Sequence, residues 1–177
     1  GGTRVETIVR PWTIAGQATA ARAMADFVRR WLHAGRPGRT SEVVHTHGVW
    51  TPAIIAAASS ALRGKTRLVI SPHGMLRRES LRRNRLLKMA LWQATVRRQL
   101  ASADAVHVTS IAEAEDLQGL LPRTAPLLVP WGVEPLPAKP HRDDQALPRV
   151  AAYLGRMLPI KGLDMLIDAW AAVRPEG

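Results

Sequence analysis

The sequence predicts a doubly wound parallel α/β fold, and three observations carry that prediction. Short β-branched or apolar runs at 42–46, 67–71 and 104–109 lack the regular polar alternation of a half-wet antiparallel sheet. Each leads into a stretch of helical apolar spacing and not into a tight hairpin turn. The 177 residues are 46% hydrophobic, long enough for a core that needs no staple, and the absence of Cys excludes disulfides, thiolate metal sites and cysteine nucleophiles.

The elements follow in order. Ala20, Met24, Phe27, Val28 and Trp31 recur at steps of three and four, which predicts a helix from about Gln17 to His33, ended by the Gly-Arg-Pro-Gly-Arg-Thr segment at 35–40. A strand from Glu42 to Thr46 comes next. Thr51-Pro52 then supplies an N-cap and a first-turn proline for a helix over Ala53 to Leu62. The unit recurs as a strand from Arg67 to Ser71 and a long helix from about Met75 to Ala101. It recurs again as a strand from Asp104 to Thr109 and a helix opened by Ser110, with Glu113 three residues on as a capping box. Leu127 to Val129 is a further apolar run between two prolines.

After Val133 the texture changes. Residues 1–134 read as a first domain, incomplete at its start, and 135–148, punctuated by Pro135, Pro137, Pro140 and Pro148, as a linker. Residues 149–177 read as the start of a second domain: a strand from Arg149 to Leu154, a Gly155 to Gly162 turn and a helix from Leu163 to Val173. The chain opens Gly1-Gly2-Thr3, has its first Met at Met24, and reads as a piece of a longer protein.

The net charge is +11, and the 75–101 helix concentrates it: Arg77, Arg78, Arg82, Arg83, Arg85, Lys88, Arg97 and Arg98 face a single acid, Glu79. Leu76, Leu81, Leu86, Leu87, Leu91, Trp92 and Val96 would form its packing face. A basic amphipathic helix suits an anionic lipid surface, nucleic acid or plain solvent. Lipid is favoured over nucleic acid, because one Tyr and one Phe leave little to stack on bases. No apolar run approaches membrane-span length. Six Trp are present; Trp31, Trp92 and Trp170 fall on helical stripes and read as core, whereas Trp50 and Trp131 lie in loops after strands and are pocket candidates.

Ligands of open α/β sheets bind beyond the carboxyl ends of the strands, so the loops there hold the candidates. His45-Thr46-His47-Gly48, Ser71-Pro72-His73-Gly74 and Gly155 to Gly162 each set a Gly beside polar side chains. His45 and His47 face one side of an extended strand but lack a third metal ligand; a buried, hydrogen-bonded His45 and a pocket-lining His47 are the better reading. His73 is either a structural residue of a tight turn or a site residue. His107 reads as core and His141 as solvated. Arg156 and Lys161, flanked by Gly155 and Gly162 before a helix, suit a diphosphate or are surface cations. A P-loop and a dinucleotide fingerprint are absent.

Taken as an ordered set, several segments resemble the retaining glycosyltransferases of family four, from about Glu42 to the end. They are His45-Thr46-His47-Gly48, Ser71-Pro72-His73-Gly74-Met75-Leu76, Ala112 to Leu117 after Thr109-Ser110, Val129-Pro130-Trp131-Gly132-Val133-Glu134, and Gly155-Arg156 to Asp164. The resemblance implies a GT-B enzyme of two Rossmann-like domains, each a parallel sheet with helices on both faces. The acceptor-side domain would come first, and the second would begin in this chain. It implies a hexosyltransferase that uses a UDP- or GDP-linked sugar, with no metal or other cofactor, and a glycan or lipid-linked acceptor, with retention, in surface polysaccharide synthesis. By the same resemblance His73 lies near the reacting centre, with His47, Gly48, Gly74 and Trp131 on the acceptor side or cleft. Arg156, Lys161, Gly155 and Gly162 hold the donor diphosphate. Trp131 stands where the family often has Asn, and the family's two later glutamates would lie beyond Gly177, so this chain alone is expected to turn over no donor. The expected place is the cytoplasm, on the inner face of the cell membrane through the 75–101 helix, with no nucleic acid partner. The alternative is a basic Rossmann-like module that binds nucleic acid or anionic lipid without catalysis.

Overall fold

The computed structural model describes residues 14–33, 43–134, 153–155, 157 and 161–173. The chain divides into two compact units, 1–132 and 133–177. In the first, the elements are α1 (Ile14–His33), β1 (Val43–His47), α2 (Pro52–Arg63), β2 (Arg67–Ser71), α3 (Arg78–Arg82), α4 (Arg85–Leu91), a π-helical turn (Trp92–Val96), α5 (Arg97–Ser102), β3 (Ala105–Val108), α6 (Ile111–Leu120) and β4 (Pro126–Leu128). The four strands pair in chain order, all parallel. Helical crossovers are what parallel neighbours require.

Register decides which side chains share a face. Val44 lies beside Leu68, Thr46 beside Ile70 and Ile70 beside Val106. On that face Leu68, Ile70, Val106 and Val108 are no more than 2% exposed, packed with Ala58 and Ala61 of α2, Leu100 of α5 and Leu117 of α6. Burying each Leu or Val there contributes about 1.5–3 kcal/mol. The opposite face carries Val43, His45, His47, Val69, Ser71, Ala105 and His107, and among the described residues it is the more open of the two. Outside the sheet, α1 packs against α2 through a stripe that buries Ala20 and Val28.

Several expectations need correction. The single helix from Met75 to Ala101 is broken: residues 75–77 belong to a turn, α3 starts at Arg78, and Asn84 adopts a left-handed conformation (φ +55°) between α3 and α4. Asn tolerates that region better than other non-glycine residues, and Arg78 and Arg82, one turn apart, repel. The break swings Leu86 and Leu87 off the packing face, leaving them 81% and 60% exposed, while Leu76 and Val96 stay buried. His107 is half-buried on the open face, not core, and His45 is hydrogen-bonded but exposed. Thr51 has the extended backbone of an N-cap, yet its hydroxyl bonds nothing among the described residues.

The second unit, by itself, shows α7 (Leu163–Val173). Trp170, expected in a core, is 45% exposed, as are Met165, Ile167 and Val173 to a greater degree. The linker 135–148, His141, Arg156 and most of the 149–154 strand lie outside the described residues.

Candidate functional site

The parallel register brings the carboxyl ends of β1, β2 and β3 to one edge, where the following loops meet. The Gly48 amide donates to the Ser71 carbonyl at 2.7 Å, extending the β1–β2 ladder by one bond. Gly48 has φ +91°, and a Cβ there would sit 3.1 Å from the Met75 methyl carbon. After β2, His73 (φ +52°) and Gly74 (φ +70°) are both left-handed, which turns the chain back sharply over the sheet edge.

A buried carboxylate holds that turn. Glu113 is 4% exposed; its Oε1 accepts from the Gly74 amide at 2.7 Å, and its Oε2 accepts from the Thr109 amide at 2.9 Å and the Thr109 hydroxyl at 3.1 Å. Ser110 caps α6 by accepting from the Glu113 amide. Half of the capping box therefore forms as expected, but the carboxylate ties the loop after β2 to the loop after β3. The sequence signal was local and the partner is tertiary, so the role of Glu113 was not readable.

Three strands are also laced by side chains across the open face. His45 Nε2 lies 2.8 Å from Ser71 Oγ, Ser71 Oγ lies 2.7 Å from His107 Nδ1, and His107 Nε2 lies 2.9 Å from the Val129 carbonyl. A carbonyl only accepts, so His107 Nε2 carries the proton. In neutral His107 the Nδ1 is then an acceptor, Ser71 donates to it, and the Ser71 oxygen accepts from His45 Nε2–H. The chain fixes both tautomers and anchors the segment leading into Trp131. His45 is exposed as a residue, yet partial burial withdraws its ring in part from water. That desolvation first, then His47, His107 and His73, holds it below the usual histidine value.

His47 and His73 form a second contact. His47 Nδ1 is 2.8 Å from His73 Nε2, and Trp131 lies over His73 with centroids 5.4 Å apart and planes 21° apart. Desolvation and then His47 push His73 below the ordinary value, against an opposing pull from Glu113, while His107 lowers it further. His73, Gly74, Arg77, Thr109, Ser110 and Trp131 line a cleft of about 260 Å³. Arg77 pairs with Asp116 at 3.6 Å on its rim. Such a cleft offers a flat aromatic wall, hydroxyls, one cation and an imidazole that is neutral near pH 7. That chemistry suits a small polyhydroxylated ligand and is short of the apolar lining typical of drug-like pockets. No group of three or more metal-ligating side chains is gathered among the described residues.

The structure thus brings together His47, His73, Gly74 and Trp131, with Gly48 at the end of β1 beside them. Lys161, Gly155 and Gly162 lie in the second unit, where Gly162 (φ +61°) opens α7 by accepting from the Leu166 amide. Ser71, His107 and Glu113 are the residues that sequence reasoning passed over as site-builders.

A separate groove of about 460 Å³ runs along α3 and α4, floored by Trp50, Leu81, Met89, Trp92 and Leu120 and rimmed by Arg78, Arg82, Arg85 and Lys88. Trp50 donates to the Met75 carbonyl at 3.0 Å, and the Lys88 ammonium lies 5.6 Å from the Trp50 ring centroid and donates to the Ser80 carbonyl. Desolvation and then Arg83 lower the Lys88 value. Among the described residues no helix is long and apolar enough to cross a membrane.

Neither the curated proteins nor the solved structures give a significant match to the chain. A family model described as a glycosyl transferase 4-like domain matches residues 2–132, which is nearly the whole of the first compact unit. The chain therefore belongs to the glycosyl transferase 4-like domain family.

Proposed function

We propose that the first unit is the acceptor-side domain of a retaining GT-B hexosyltransferase, and that the donor is a UDP- or GDP-linked sugar held largely by the domain that begins within 149–177. The observation that supports this most is the cleft at the carboxyl edge of the sheet, where a neutral His73 under Trp131 meets Thr109, Ser110 and Arg77. Trp131 offers its ring to the apolar face of a sugar, and the hydroxyls and the imidazole bind the sugar's polar edge. Gly155, Arg156, Lys161 and Gly162 hold the diphosphate, the cations offsetting the charge that develops on the leaving group. No metal enters this scheme. The leaving phosphate assists deprotonation of the acceptor on the same face of the sugar, and His73 positions the reacting ring.

The acceptor is a glycan or lipid-linked sugar of surface polysaccharide synthesis, and the enzyme sits on the cytoplasmic leaflet. The support for a membrane seat is the α4 face, where exposed Leu86, Leu87 and Met89 stand among Arg82, Arg83 and Arg85. Apolar side chains displayed beside cations suit the lipid interface, and nucleic acid does not require them. Incubation of the two-domain enzyme with UDP- and GDP-linked hexoses and lipid-linked acceptors tests the reaction. The expected product keeps the donor's anomeric configuration by NMR. An inverted product, or no transfer from any donor, contradicts the proposal.

A further inference from the structure

We infer that His47 and His73 work as one unit that shares a single proton, with His47 the positioning residue that sets whether the outer nitrogen of His73 donates or accepts. The inference rests on the reading of His73 as a cleft residue. Its basis is geometric. The two rings are parallel within 3°, their centroids are 5.1 Å apart and their facing nitrogens 2.8 Å apart. With facing nitrogens at hydrogen-bond distance on parallel rings, that centroid separation is the one of rings meeting edge to edge, as an in-plane N–H···N bond requires.

One hydrogen lies between the rings, and two imidazolium ions would set two N–H groups head to head, so the pair carries at most one extra proton. When neutral it has two arrangements. If His47 Nδ1–H donates, His73 holds its other hydrogen on Nδ1 and presents a donor. If His73 Nε2–H donates, His73 Nδ1 is a lone pair and His47 holds hydrogen on Nε2. A proton taken up at His73 Nδ1 therefore leaves from His47 Nε2, with one N–H bond broken and one formed on each ring. The groups around the pair are few. His45 lies against His47 with centroids 4.3 Å apart, Trp131 covers a face of His73, Glu113 is bonded to the adjacent Gly74 amide, and His107 and Arg77 stand further off. The left-handed backbone at His73 and the Gly48 amide bond hold the two rings at this separation.

Long-range proton–nitrogen correlation spectra of the nitrogen-15-labelled 177-residue chain, recorded across pH, test the pair. In the wild type the bonded nitrogens of His47 and His73 should show shifts between those of a bare lone pair and a free N–H, and the two rings should take up one proton jointly. His47→Ala should mix the tautomers of His73 and end the joint uptake of one proton. His47→Asn keeps a polar atom near the Nδ1 position that can bond His73 but cannot take up a proton, so the bond should return without the joint titration. Should the Ala variant fail to fold, the wild-type titration and the Asn variant decide. Independent titration of the two rings in the wild type, or a His73 unmoved by both substitutions, overturns the inference. A joint titration here, with no transfer by the two-domain enzyme, refutes the glycosyltransferase proposal and leaves the pair intact.

Discussion

At the carboxyl edge of the sheet five polar side chains are matched to partners: His45 to Ser71, Ser71 to His107, His107 to Val129, His47 to His73, and Glu113 to two amides and a hydroxyl. On the α3–α4 face, among the described residues, Arg82 and Arg85 enter no ion pair, and Leu86 and Leu87 are displayed to solvent. The first region fixes directions, since the bonds around His45, Ser71, His107 and Glu113 each set a donor against an acceptor. The second fixes only charge and apolar area. Chemistry on a bound sugar needs the former; adhesion to a fluid anionic surface needs the latter.

That contrast predicts unequal responses to substitution. The largest change in folding stability should come from Glu113→Ala, which leaves the Gly74 and Thr109 amides without their acceptor and should cost about 3 kcal/mol in urea unfolding. Glu113→Gln should cost less, because its amide oxygen still accepts one of those bonds. Gly48→Ala should follow at about 2 kcal/mol, since φ +91° is strained for any Cβ and the Met75 methyl carbon is 3.1 Å away. A Gly48→Ala variant as stable as the wild type would mean that the loop relaxes and that its geometry is not enforced.

The basic face should behave in the opposite way. Replacing Arg82 and Arg85 together by Gln should change stability by less than about 0.5 kcal/mol. The same change should weaken sedimentation with anionic vesicles by about 2 kcal/mol, roughly thirtyfold, in a salt-sensitive manner. Undiminished vesicle binding would remove the membrane role from this face. Tight binding to single-stranded oligonucleotide with none to vesicles would favour a nucleic-acid module instead.

The smallest expected effect is on pH. His45 and His73 are held below the usual value in the folded chain, so near pH 6.5 the unfolded imidazoles take up protons before the folded ones do. Stability should fall as pH drops from about 6.5 through the folded midpoints, and be at its full value above that window. Urea midpoints at pH 7.5 and 5.5 read this directly, and His73→Gln should shrink the difference.

Much of the scaffold was legible because its signals are local. The β2 span and the α7 span coincide with the apolar runs, and Ser110 caps α6 as its spacing suggests. Apolar periodicity overextended the 75–101 helix, since it registers Leu86 and Leu87 without registering that Asn84 turns them away from the core. At the site, His47, His73 and Trp131 stood out by position after strands, and their meeting follows from parallel register. The roles of Ser71, His107 and Glu113 depend on partners 36, 22 and 39 residues away. No spacing along the chain encodes those distances.

The measurement that tests the account most directly is sugar transfer by the two-domain enzyme with His73→Ala, compared with the wild type at pH 7.5. If His73 stands beside the reacting sugar as proposed, removing its hydrogen-bonding imidazole should lower kcat/KM by tenfold to a hundredfold, about 1.5–3 kcal/mol, with the fold intact by circular dichroism. Wild-type kinetics in that variant would contradict the placement of the reaction at the histidine edge of the sheet.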